Sequence, residues 1–164
     1  MGAEFHCSWI KSGTDGQYDW SGYGLPGVPL EELPDGMKER DWQGSLICKG
    51  PAFEGVEGKL WSLAAAAGMK WLKEPGDGWT RFLMDRDTAV RLVDKCRELI
   101  RVAILVEDQA GWDGSGLKDV LDYVDDKWDE DVASDLCLTL GHLLEAKRML
   151  AEFDGYDLAV EIAY

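Results

Sequence analysis

An α+β fold with a small, mostly antiparallel sheet is predicted by three observations. Phe5, Cys7 and Trp9 alternate with Glu4, His6 and Ser8, a strand pattern. Tyr156, Leu158, Val160, Ile162 and Tyr164 alternate with Asp157, Ala159, Glu161 and Ala163, the cleanest strand signal in the chain. Between them, apolar residues recur at helical spacing in about four segments. Strands near both ends with helices between them predict that the N- and C-terminal strands share one sheet as neighbours, with the helices packed on it. The 164 residues fit one globular domain, 1–164, large enough to fold without a disulfide or a metal.

Residues 11–36 are rich in Gly, Pro and Asp and carry Tyr18, Trp20 and Tyr23, so they read as a long loop with one helical turn near Leu30. Loops of that length in a small domain are usually functional or mobile. Residues 45–49 form a short apolar run, a candidate second strand. Residues 56–73 read as a helix apolar on most sides, with Val56, Leu60, Leu63, Ala64, Ala67 and Trp71 on one face. Glu74-Pro75-Gly76-Asp77-Gly78 ends it, and residues 79–84 give a third strand. Asp85 or Asp87 caps the next helix, residues 88–106, whose stripe is Ala89, Leu92, Val93, Cys96, Leu99, Ile100 and Ala103. Its tail, 102–106, is β-branched enough to be extended instead. A Gly-rich loop follows at 109–116. Ser115 then caps an acidic helix over 117–129, and a further helix covers 132–153 with Leu136, Leu140, Leu143, Leu144 and Leu150 inward. Gly155 suits the position just past its end.

The charge is uneven. Residues 1–82 carry 12 acids and 8 bases, and residues 83–164 carry 20 acids and 9 bases. Within 107–135 there are 11 acids and 2 bases, Lys118 and Lys127, a local net of −9 in a chain of net −15. Leu117, Val120, Leu121, Val124 and Trp128 lie on one face of the predicted helix, and Asp119, Asp122, Asp126 and Asp129 on another. Carboxylates three and four residues apart sit about 5–6 Å from one another along a helix, which is broadly the scale of phosphate spacing on a nucleic-acid strand. Asp113, Asp125, Glu130 and Asp131 enlarge the patch. Concentrating like charges costs stability, which favours an external use for them; the plainer reading is a solvated face.

Other chemistry is thinly supported. Read as an EF-hand from Asp108, the loop fails at Ala110, Trp112 and Asp113. Cys7, Cys48, Cys96 and Cys137 form no Cys-x-x-Cys pair, and His6 and His142 complete no tetrahedral site. There is no P-loop, dinucleotide fingerprint, Gly-x-Ser-x-Gly or His-Glu-x-x-His. No catalytic residue, cofactor or metal is therefore assigned. The tryptophans divide into a periodic set expected in the core (Trp9, Trp61, Trp71, Trp128) and a loop set beside Gly, Asp or Gln (Trp20, Trp42, Trp79, Trp112). Loop aromatics either anchor partners or cover the ends of a sheet.

Thirty-two acids against 17 bases exclude direct nucleic-acid binding and anionic membrane binding. With no secretory signal and no apolar run long enough to span a bilayer, a cytoplasmic location is expected. The expectation is a small acidic intracellular protein that engages, and inhibits or neutralises, a basic protein such as a nucleic-acid-binding enzyme or a toxin. Immunity proteins and nucleic-acid mimics act in this physical way, an analogy of charge and size. Asp113, Asp119, Asp122, Asp125, Asp126, Asp129 and Glu130 would supply carboxylates, with Trp112 or Tyr123 as the buried anchor. The alternatives are a small-ligand protein or enzyme whose pocket lies between the 18–23 aromatic loop and the Trp79 or Trp112 loop, and an accessory domain without an active site.

Overall fold

The computed structural model describes residues 2–76, 78–107 and 132–163. The order is β1 (Glu4–Lys11), β2 (Lys38–Arg40), β3 (Leu46–Cys48), α1 (Glu57–Ala66), β4 (Lys70–Lys73), β5 (Trp79–Met84), α2 (Arg86–Glu107), α3 (Val132–Glu152) and β6 (Tyr156–Ala163). Four strands form an antiparallel sheet in the order β1-β6-β5-β4. The two terminal strands are neighbours, as the sequence predicts, with Glu4 opposite Ala163 and Lys11 opposite Tyr156. Three α-helices occur among the described residues; the acidic helix expected over 117–129 lies outside them.

The period-two patterns assign the two faces of this sheet. Phe5, Cys7 and Trp9 of β1, Phe82 and Met84 of β5, and Leu158, Val160 and Ile162 of β6 point to one side, where the helices supply the rest of the main core. Leu92, Val93, Cys96 and Leu99 of α2 and Leu136, Leu143, Met149 and Leu150 of α3 are fully buried there. Leu144, expected inward, is instead exposed on α3, and Ala146 takes an inward place. Ile10, Leu83 and Ala159 point to the opposite side of the sheet and form a second, smaller core with Trp20, Tyr18, Leu25 and Leu72. The long 11–36 loop thus crosses the face of the sheet opposite the described helices, with single 3-10 turns at Asp15–Gln17, Leu30–Glu32 and Asp35–Met37.

The helix predicted over 56–73 is shorter and ends at Ala66. Gly68 adopts φ +66°. Gly68 N–H donates to Ala65 O at 3.3 Å and Met69 N–H to Ala64 O at 3.2 Å. This is a Schellman stop, in which glycine takes the left-handed position. The chain then turns into β4, whose Lys-Trp-Leu-Lys pairs with β5 through an irregularity between Trp71 and Lys73. Trp71 therefore lies on the sheet, edge-on to Phe82, instead of on a helix. The run at 45–49 is a strand, but it pairs with β2 in a separate hairpin instead of joining the main sheet.

Helix α2 is helical through Glu107, so its β-branched tail is not extended. Asp85 is its cap: Oδ1 accepts the Thr88 N–H at 2.7 Å. Arg86, next to that cap, closes the same end of the pair by donating to Leu150 O and Ala151 O at the C-terminus of α3. Cys96 Sγ lies 3.3 Å from Leu136 O further along. The two helices therefore run antiparallel, with Glu107 and Val132 at the end away from Arg86.

Gly68→Ala meets no atom within 4 Å, so only the left-handed backbone opposes it. The substitution is expected to cost about 1–2 kcal/mol, read as a lower midpoint in urea unfolding at unchanged m-value.

Candidate functional site

All the carboxylates and aromatics expected to bind a partner (Trp112, Asp113, Asp119, Asp122, Tyr123, Asp125, Asp126, Asp129 and Glu130) lie outside the described residues. The described residues instead bring together a site on the face of the sheet opposite the described helices. Register places His6 of β1, Glu161 of β6, Arg81 of β5 and Lys73 of β4 in one row across four strands. Arg81 is the most buried of these four ionisable groups, and the loop supplies its partners beside Glu161.

Arg81 is 1% exposed, yet it carries a full charge. Its Nε donates to Glu161 Oε2 at 2.7 Å, and Nη2 approaches the same oxygen at 2.6 Å. Nη1 donates to Trp20 O and, at 3.0 Å, to Gly22 O. Nη2 also donates to Gly24 O at 3.2 Å. Each of the three guanidinium nitrogens thereby donates at least one hydrogen bond. Three backbone carbonyls in one loop converge on this side chain, which fixes residues 20–24 against the sheet. Gly24 sits at φ +81°, the left-handed geometry that glycine adopts without strain.

Beyond Gly24, residues 26–28 return along the outer edge of β1. Ser8 Oγ donates to Pro26 O at 2.7 Å, and Val28 N–H donates to Trp9 O at 2.8 Å. A Cβ on Gly27 would lie 2.9 Å from Trp9 O, so this approach requires glycine. The loop consequently covers both a free strand edge and part of a free face.

Between the loop and the far end of the sheet lies a cavity of about 390 Å³. Its floor is Arg81 and Glu161, and Trp79 and Ala163 close one side. Tyr23, Gly24 and Leu25 of the loop and Glu4, His6 and Ser8 of β1 close the others. Lys73 Nζ sits 3.4 Å from the centre of the Trp79 ring, a cation–π contact. Tyr23 is fully exposed. His6 Nε2 is 3.4 Å from Glu4 Oε2 at the rim. The volume falls in the range of small-molecule sites.

The tryptophans behave individually. Trp9 is buried and donates its indole N–H to Lys49 O at 2.7 Å. Trp20, assigned to the loop set, is also buried and donates to Asp15 O at 2.8 Å, so it covers the sheet. Trp61 and Trp71 are half-buried against the main core. Trp42 is 91% exposed at the tip of the β2–β3 hairpin, where Asp41 Oδ1 accepts the Gln43 and Ser45 N–H groups. Trp112 and Trp128 lie outside the described residues.

Among the described residues, no three His, Cys, Asp or Glu side chains are grouped to hold a metal ion. His142 lies edge-on to Phe53. Cys7 is pushed up to about 12 by burial, with smaller contributions from Cys48 and Glu39; Cys96 is pushed up to about 12 by burial and by Cys137. Both thiols are thereby held in their unreactive neutral form. No helix among the described residues is long and apolar enough to cross a membrane.

Comparison of the chain with protein-family models, with curated proteins and with solved structures finds no match.

The thiol environments give a direct expectation. At mildly alkaline pH, iodoacetamide should label exposed Cys137 first, while buried Cys96 is labelled only on unfolding, as read by peptide mass spectrometry. The Cys7 and Cys96 thiols ionise more readily in the unfolded chain, from 9.0, than in the fold, near 12. Their contribution to stability is therefore complete below pH 9.0 and lost as pH rises toward 12. Urea midpoints measured across that window should fall less steeply for Cys7→Ala than for the wild type.

Proposed function

We propose that the protein is a binding protein that engages a basic protein partner through its carboxylate-rich 107–135 segment and thereby blocks that partner's charged surface. The observation that carries this reading is the ratio of 11 acids to 2 bases in that segment, within a chain already at net −15. Such a concentration raises a strong local potential and speeds encounter with a basic surface. The bases of the described residues reinforce it, because several are already paired within the fold. Arg81 pairs with Glu161, Lys70 with Asp15, Arg86 with Asp154, and Arg148 with Glu145 and Glu152. The antiparallel α2–α3 pair, pinned by Arg86, is a rigid base from whose two ends the acidic segment departs. The partner chemistry is a Lys- and Arg-rich surface that ordinarily meets phosphate, with an enzyme acting on nucleic acid or a toxin as the kind of protein that fits.

A second reading, a small-ligand protein, is favoured by the cavity between Tyr23–Leu25 and Trp79. It places recognition on the sheet face and leaves the acidic segment a solubilising role.

Capture from host lysate at low and high salt distinguishes the two. The wild type should retain a basic protein at low salt and release it at high salt. A variant with Asp119, Asp122, Asp126 and Asp129 all changed to Asn, with unchanged circular dichroism, should retain at least about tenfold less. Equal retention by both proteins sinks the basic-partner reading.

A further inference from the structure

The polar inventory of the cavity is asymmetric. The obvious anion receptor, Arg81, is already engaged by Glu161 and by the carbonyls of Trp20, Gly22 and Gly24. Glu161 is different. Both contacts from Arg81 fall on Oε2, and Oε1 takes no hydrogen bond from any described residue. Glu161 is 9% exposed and lines the cavity together with His6, its partner in register on β1, and Trp79, whose indole N–H is buried without a partner among the described residues. Glu4 adds a second carboxylate at the rim, and the fully exposed Tyr23 ring adds an aromatic surface. A carboxylate beside an aromatic ring is the pairing that recognises a planar cation.

We propose that this cavity binds an alkylguanidinium group, with Glu161 Oε1 and Glu4 accepting its N–H groups and Tyr23 stacking on its plane. The proposal rests on the second reading above and names the ligand class for it. Anions are disfavoured by the two carboxylates. Neutral ureas have the same shape but lack the charge-assisted bond. The group can arrive on a free small molecule or on an arginine side chain of a protein, and the two share this chemistry.

Calorimetric titration of the whole protein at low ionic strength tests it, with four probes: n-butylguanidinium, n-butylurea, inorganic phosphate and an end-blocked Gly-Arg-Gly peptide. Because the acidic surface also attracts cations, each titration is repeated with Ala163→Leu, which enlarges a cavity-lining side chain and leaves both Arg81 and Glu161 in place. Glu161→Gln is a companion where it remains folded. Butylguanidinium should bind the wild type with Kd about 1 mM or tighter, and butylurea about tenfold or more weakly. Ala163→Leu should lose about tenfold or more. Binding of the tripeptide as well assigns the group to a protein side chain; binding of butylguanidinium without it assigns a small molecule, and either pattern supports the proposal. Butylurea or phosphate binding as well as butylguanidinium, lost in Ala163→Leu, overturns the guanidinium assignment while leaving a ligand cavity. Binding by no probe, or binding unchanged by Ala163→Leu, overturns the assignment and the ligand-cavity reading together.

Discussion

A buried guanidinium must be surrounded by acceptors, and the face of the sheet opposite the described helices is organised by that requirement. Removing Arg81 from water is unfavourable by several kcal/mol unless its charge and all its donors are matched. Glu161, directly opposite on the neighbouring strand, supplies the charge. Trp20, Gly22 and Gly24 supply neutral acceptors that the strands do not have. The converse also holds. A loop rich in glycine has little side-chain surface with which to adhere, and its carbonyls need donors when covered. One side chain solves both problems. The aromatic residues Tyr18 and Trp20 then close the small second core over Ile10, Leu83 and Ala159. The cavity is the space that this arrangement leaves at the other end of the same face.

The opposite face follows ordinary burial. Strand β6 lies between β1 and β5, so the last element of the chain completes the middle of the sheet. Its contacts with β1 join residues about 150 apart, a long loop closure whose entropy is recovered only once both cores form. The helices on that face are held by contacts of different kinds. Apolar stripes join α2 to α3, and the arginine at the start of α2 caps the last carbonyls of α3. This leaves the far end of the pair as the place from which the acid-rich segment departs. Charge and cavity thus belong to separate parts of the chain, which is why the two functional readings can be tested separately.

Much of this fold is legible in the sequence, and the failures have identifiable causes. The terminal strands are clear because their apolar alternation is strict, and α2 is clear because its stripe runs for five turns beneath a good cap. The end of α1 is not, because Gly68 follows four alanines and merges into the apolar surface when counted by periodicity alone. Only its positive φ shows that it is a stop. Strand β4 is hidden for the same reason, since Trp71 and Leu72 satisfy either period. The 45–49 run is recognisable as a strand, but its partner, Lys38–Arg40, is polar and carries no pattern. The site row is the deepest omission. Arg81 within Trp79–Met84 and Glu161 within Tyr156–Ala163 are single charges in apolar strands. Opposite charges at the inward positions of two predicted strands are a signal of a buried pair, but their meeting depends on register. The position of the pocket between the aromatic loop and Trp79 follows from composition; its floor does not.

The pairing of Arg81 with Glu161 and the loop carbonyls is tested most directly by a double-mutant cycle, Arg81→Met, Glu161→Met and both together, with amide hydrogen exchange across residues 18–25. Each single substitution leaves a buried charge unmatched and should cost about 3–5 kcal/mol, whereas the double variant should cost less than the sum by about 2 kcal/mol or more. Exchange at 18–25 should accelerate in both variants that lack Arg81, well ahead of exchange in α2. Additive costs, or protection of 18–25 unchanged by the loss of Arg81, would contradict the account.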